Sequence, residues 1–175
     1  MDIEKYKPLL YNIIGASMEV RNTLGKGLLE SVYQEALAIE LAELGIPCIL
    51  EQEVPVFYKD RPLEKKFRLD MLVANDVVVE LKSVAHLGAE HRHQLCNYLR
   101  LTKKPIGLLI NFGSNALLGE RWIYDKETDE CFIVDKNMNP IDWQPTRQYI
   151  NGLLTVINGE QKKTIINGSE KPTMH

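Results

Sequence analysis

Asp70, Glu80 and Lys82 are the residues of this sequence whose types and spacing could do hydrolytic chemistry. The runs Arg68-Leu69-Asp70-Met71-Leu72-Val73 and Val77-Val78-Val79-Glu80-Leu81-Lys82 set two carboxylates and an ammonium inside apolar, strand-like segments. A carboxylate there is costly unless something positive meets it. Side chains alternate along a strand, so Glu80 and Lys82 share one face while Val79 and Leu81 take the other. Register decides whether Asp70 joins them. A two-residue loop at Asn75-Asp76 pairs Asp70 with Leu81 and separates the carboxylates. A three-residue loop (Ala74, Asn75, Asp76) pairs Asp70 with Glu80, with Cβ atoms about 5 Å apart. Carboxylates that close repel, and a divalent cation between them is the natural remedy. By residue type alone, the trio reads equally well as a structural ion-pair cluster on a sheet face.

The elements that must position these groups follow from periodicity. An amphipathic helix spans about 4–22, with an apolar stripe from Leu9 to Val20, and a second spans about 29–44, stopped by Gly45. Strands are expected at about 48–58, 65–73 and 76–83, the first two separated by Lys59-Asp60-Arg61-Pro62. A helix at about 87–101 follows, then Ile106 to Phe112, a continuous apolar run typical of a strand buried on both faces. Arg121–Tyr124 and Cys131–Val134 read as a peripheral hairpin, and Tyr149–Ile157 as a short helix, with fraying from Gly168 to His175. The order helix, three strands, helix, strand predicts an α/β sandwich with a mixed sheet.

The 175 residues suit one domain. The formal charge of −3 argues against coating nucleic acid by bulk electrostatics. It leaves room for a local basic rim from Lys59, Arg61, Lys65, Lys66 and Arg68, with Arg92, Arg100, Lys103 and Lys104 later. Three scattered cysteines imply no disulfide framework and suit a reducing, cytoplasmic setting. The N-terminus lacks a signal-peptide apolar core, and no apolar run approaches membrane-spanning length. Gly25-Lys26-Gly27 lacks P-loop spacing, and Phe112-Gly113-Ser114-Asn115 is no nucleophile elbow.

Four motifs then fall in order: Gly27-Leu28-Leu29-Glu30-Ser31-Val32-Tyr33 (GxxExxY), Asp70, Glu80-Leu81-Lys82, and Gln94-Leu95-Cys96-Asn97-Tyr98 (QxxxY). Over roughly residues 10–125 the chain resembles the GxxExxY protein family of the PD-(D/E)xK nuclease superfamily. The resemblance implies a restriction-endonuclease-like α/β core, a mixed sheet flanked by helices, with an extra N-terminal helix. One nuclease-like domain over 1–145 and a partly flexible C-terminal extension over 146–175 are expected. It also implies a metal-dependent nuclease that hydrolyses phosphodiester bonds with metal-activated water. Asp70, Glu80, Glu30 and the Leu81 carbonyl would hold Mg²⁺ or Mn²⁺. Lys82 would orient or deprotonate the water, Gln94 would contact phosphate or that water, and Tyr98 would support Gln94. For Glu30 the competing reading is a solvated acid in a first helical turn, and for Tyr98 a core residue with a satisfied hydroxyl. His91 is expected on the rim near phosphate. The string His91, His93, Cys96 lacks a second ligand pair for zinc. The expected partner is nucleic acid, DNA before RNA, and a homodimer is compatible. The alternatives are a catalytically inactive nuclease-fold module that binds nucleic acid or a protein, and an oligomeric scaffold.

Overall fold

The computed structural model describes residues 1–141. The 146–175 extension and the helix expected at Tyr149–Ile157 lie outside the described residues. After a 3₁₀ turn at Glu4–Tyr6 come α1 (Lys7–Leu24) and α2 (Glu30–Glu43), then strands β1 (Cys48–Tyr58), β2 (Arg61–Val73) and β3 (Val77–Lys82). Helix α3 (Ala89–Thr102) crosses to β4 (Ile106–Asn111), and β5 (Leu118–Asp125) and β6 (Glu130–Val134) complete the described chain. The strands form one sheet in sequence order, β3 and β4 parallel and the other neighbours antiparallel. This is the restriction-endonuclease-like arrangement the motifs implied, with an added N-terminal helix. No helix among the described residues is long and apolar enough to cross a membrane.

Sheet alternation builds two cores. Met71, Val73, Val77, Val79 and Leu81 meet the α1–α2 layer through Leu10, Ile13, Tyr33 and Leu37. Leu72, Val78, Leu109 and Trp122 meet α3 through Leu95, Cys96 and Leu99. β3 and β4 are covered on both faces, which is why they read as unbroken apolar runs. Helix α3 lies close because Gly107 has no side chain; a Cβ there would fall 2.9 Å from Leu95 and 3.1 Å from Leu99.

The β2–β3 hairpin settles the register. Met71, Leu72 and Val73 pair with Val79, Val78 and Val77, leaving a three-residue loop in which Ala74 and Asn75 take φ of 50° and 63°. The ladder ends at Met71–Val79, one step before Asp70 and Glu80, and the Asp70 side chain accepts from the Leu81 N–H. Two expectations change in detail. β2 starts at Arg61, not near 65, so Pro62 sits inside a strand. It is tolerated because this part of β2 pairs only with β1 and keeps a free edge. The hairpin expected at the periphery extends the main sheet instead, with Trp122, Ile123 and Tyr124 buried in it.

Candidate active site

The site lies where β1, β2 and β3 bring acids into one row. Leu50 pairs with Met71 and Gln52 with Leu69, which levels Glu51 with Asp70, and the β2–β3 ladder ends at Met71–Val79, one step short of Asp70 and Glu80. The β1–β2 ladder skips the Glu51–Asp70 position, and Glu51 takes φ 54°, a left-handed conformation rare for its type. Like charges facing across strands repel, and the ladder is interrupted where that repulsion would be greatest. Across the gap, Leu69 and Leu72 both pack on the α3 side although three residues apart, so strict alternation fails around Asp70.

Glu80 is 2% exposed. Its Oε1 accepts from Lys82 Nζ at 3.1 Å, while its Oε2 is buried without a hydrogen-bond partner. Burial, then the nearby Asp70 charge, push the Glu80 carboxyl up to about 8, and Lys82 offsets only part of this. The Asp70 carboxyl is also raised, chiefly by burial, against the lowering effect of the Leu81 N–H, which donates to Asp70 Oδ2 at 2.8 Å. For Lys82, burial acts to lower the ammonium, but the charge and hydrogen bond of Glu80 outweigh it and the net direction is up. Lys82 Nζ also donates to Gln94 Oε1 at 3.1 Å, and Gln94 Nε2 donates to Tyr98 Oη at 2.9 Å. Gln94 and Tyr98, one helical turn apart on α3, thus form a relay that aims Lys82.

Glu30 approaches from the other layer. It is the first residue of α2, exposed, and its Oε2 accepts from the Ser83 N–H at 3.3 Å just beyond β3. Tyr33 explains why the GxxExxY spacing does this. Its buried ring stacks on Phe112, with centroids 4.3 Å apart and planes 6° from parallel. Its hydroxyl donates to Gly25 O at 2.6 Å and accepts from the Leu28 N–H at 3.2 Å, closing the loop that delivers Glu30. Gly27 supplies the φ of 98° that this loop needs. Ser83 Oγ donates to Leu28 O at 2.8 Å, tying the same loop to β3.

A cavity of about 190 Å³ is lined by Glu30, Ser31, Gln34, Glu51, Asp70 and Leu81. The structure therefore links the expected Glu80, Lys82, Gln94 and Tyr98 by hydrogen bonds, and sets Asp70, whose charge raises Glu80, with Glu30 and Leu81 at the adjoining cavity. Sequence reasoning missed two lining residues. Gln34 Nε2 donates both to Asp70 O and to Glu51 Oε2 at 2.7 Å, clamping β2 to the α2 layer. A signal existed: Gln34 precedes Leu37 and Leu41 on the buried face of α2, where a polar side chain demands partners. Glu51 gave no such signal, since Glu53 beside it looks identical in sequence. His91, expected on the rim near phosphate, has one ring nitrogen engaged locally. Its Nδ1 accepts from the Gly88 N–H at 2.9 Å, so it caps α3.

Two observations bear on a metal ion. Among the described residues, no three His, Cys, Asp or Glu side chains are already gathered into a ready-made cluster, at His91, His93 and Cys96 or elsewhere. Yet a buried carboxylate oxygen without a partner, beside a second raised carboxyl, is an arrangement a cation completes. The donors are all oxygen, and Mg²⁺ commonly takes one or two carboxylates and fills its other positions with water and substrate phosphate. The residues present fit that ion.

No curated protein matches the chain. A solved structure described as "Crystal structure of SSO0001" matches with TM-score 0.44 and 16% identity, over 71% of this chain and 63% of that one. The chain thus spans less than two thirds of that relative. The family model described as PD-(D/E)XK nuclease superfamily matches residues 7–122, a range that holds the GxxExxY helix, Asp70, Glu80, Lys82 and the QxxxY helix. The chain belongs to the PD-(D/E)XK nuclease superfamily.

Proposed function

We propose that this chain is a divalent-metal-dependent nuclease of the GxxExxY type that hydrolyses phosphodiester bonds in nucleic acid, DNA before RNA. The observation that carries the reading is the buried, unpartnered Oε2 of Glu80 beside Lys82, in the field of the Asp70 carboxylate. Asp70 and Glu80 would hold Mg²⁺ or Mn²⁺, with the Leu81 carbonyl and Glu30 completing the set. When bound, such an ion supplies neutralising charge at phosphate oxygens and acidifies water.

The chain's own residues do the rest. Lys82, a charged donor held by Glu80 and Gln94, stands beside the carboxylates where it can meet charge developing on the phosphate. Gln94 and Tyr98 fix its direction, as preorganised donors require. Hydrolysis joins the water oxygen to phosphorus and breaks one P–O ester bond, and the leaving alkoxide takes up a proton. A reducing compartment such as the cytoplasm suits the three free cysteines.

The test is cleavage of end-labelled DNA and RNA with Mg²⁺ or Mn²⁺. Asp70→Ala and Glu80→Ala are expected to abolish product, and Lys82→Ala to slow it by about 10²–10³. Full activity in either carboxylate variant would remove the assignment.

A further inference from the structure

The β1–β2 ribbon extends past the site and serves nothing described so far. Residues 61–68 are all exposed, and beyond Leu69 the ribbon has only its own two strands. Between Val54 and Arg68 the sequence carries five cations against two carboxylates, in a chain whose formal charge is −3. The inner cations are already neutralised. Lys66 lies 3.2 Å from Glu53, and Arg68 lies 3.6 Å from Glu53 and 3.8 Å from Glu51. Farther out, Lys59, Arg61 and Lys65 form no ion pair among the described residues. Lys59 instead lies 5.5 Å over the Tyr58 ring.

Aromatics accompany these free cations. Tyr58, directly opposite Arg61, is 63% exposed and Phe67 is 39% exposed. Phe67 meets the Tyr98 ring edge-on at 5.9 Å, and Tyr98 leads through Gln94 to Lys82. An exposed ring therefore stands at each end of the ribbon, Phe67 next to the proposed centre and Tyr58 at the far end, with cations between them. From Phe67 to Arg61 the ribbon covers about 20 Å at strand rise.

We propose that this ribbon grips an unpaired nucleic-acid strand, stacking its bases on Phe67 and Tyr58 while Arg61 and Lys65 hold its phosphates. Stacking on aromatic rings needs open base faces, which a single strand offers and a duplex hides. The acidic site alone would repel a polyanion, and free cations beside it answer that repulsion. The inference rests on the nuclease reading and names how its substrate is held.

The test is fluorescence anisotropy of labelled oligo-dT, oligo-U, oligo-dU and a duplex with the full chain in EDTA, where cleavage does not intrude. The wild type is expected to bind the single strands at least about tenfold more tightly than the duplex. Preference between oligo-U and oligo-dU, which share the base, then identifies the sugar. Arg61→Glu/Lys65→Glu is expected to weaken binding at least about tenfold and to flatten the salt slope by about 1.4, or about 0.7 per phosphate contact. Phe67→Ser is expected to weaken it between about fivefold and a hundredfold. Lys66→Gln, which alters a lysine already paired with Glu53 without reversing its charge, should stay within about twofold. Wild-type affinity in the double variant, or preference for duplex, overturns the proposal. So does a concentration-dependent dimer in light scattering that Tyr58→Ser abolishes. A chain that binds through the ribbon but never cleaves with Mg²⁺ or Mn²⁺ keeps this inference and loses the nuclease reading. A chain that cleaves with unchanged KM in the double variant does the reverse.

Discussion

Replacing Glu80 by glutamine should make the metal-free protein more stable and the enzyme inactive. The Glu80 carboxyl moves from an ordinary 4.5 to about 8 on folding. Its folded value is the higher, so the native state binds more protons between those limits and loses stability as pH rises through them. Each unit is worth about 1.4 kcal/mol, so wild type should lose about 3 kcal/mol between pH 5.5 and 7.5 from this group alone. Glutamine is nearly isosteric, and its amide oxygen can still accept from Lys82 at the position Oε1 holds. It has no proton to lose, so the variant's profile should be flatter by that amount. Urea denaturation in EDTA at both pH values, wild type beside variant, measures the difference directly. Titrating groups remote from Glu80 cancel in the comparison, while Asp70 and Lys82, which sit in its field, contribute to the measured difference. Parallel pH profiles would refute the reasoning, because they would mean that Glu80 is ionised at little cost in the apo fold. Calorimetry should show Mg²⁺ binding lost in the variant, and the nuclease assay should show no product.

Three further outcomes follow from the same geometry. Tyr33→Phe keeps the Phe112 stack and removes the bonds to Gly25 and Leu28. It should cost about 1–2 kcal/mol in thermal denaturation and lower cleavage by displacing Glu30. Gln34→Ala removes the clamp on Asp70 O and Glu51, and calorimetry should show Mg²⁺ binding weakened by about tenfold or more. Gly107→Val places methyl groups where Leu95 and Leu99 already stand, and should lower stability by about 1–3 kcal/mol in urea titration.

The hairpin pairing was legible because two facts in the sequence constrain each other. The period of two fixes Glu80 and Lys82 on one face, and the polar stretch between Val73 and Val77 allows a three-residue loop. Only the coordinates choose between that loop and a two-residue one. The GxxExxY helix and the QxxxY helix were legible as motifs, and Gln94 and Tyr98 share a face by helical spacing alone. Glu51 was illegible for a physical reason. Its place in the site depends on one reversed φ in an otherwise extended strand, and neither Glu51 nor its neighbours announce that reversal. Gln34 bonds to a carbonyl 36 residues away, a pairing that local pattern does not encode. Pro62 misled in the opposite direction: proline signals a break, but a free edge lets the strand run through it. The local bond of His91 to the Gly88 N–H was also illegible, because helical spacing does not say where a ring nitrogen points.

The Tyr33–Phe112 stack joins architecture and chemistry at a single bolt. One side of Tyr33 is core, and its hydroxyl tethers the loop on which Glu30 rides. Damage deep in the protein will therefore surface as lost turnover, without any contact to substrate. In a mutational scan, an inactive but folded Phe112 variant should be understood as a loosened hinge pin, not as evidence that Phe112 touches nucleic acid.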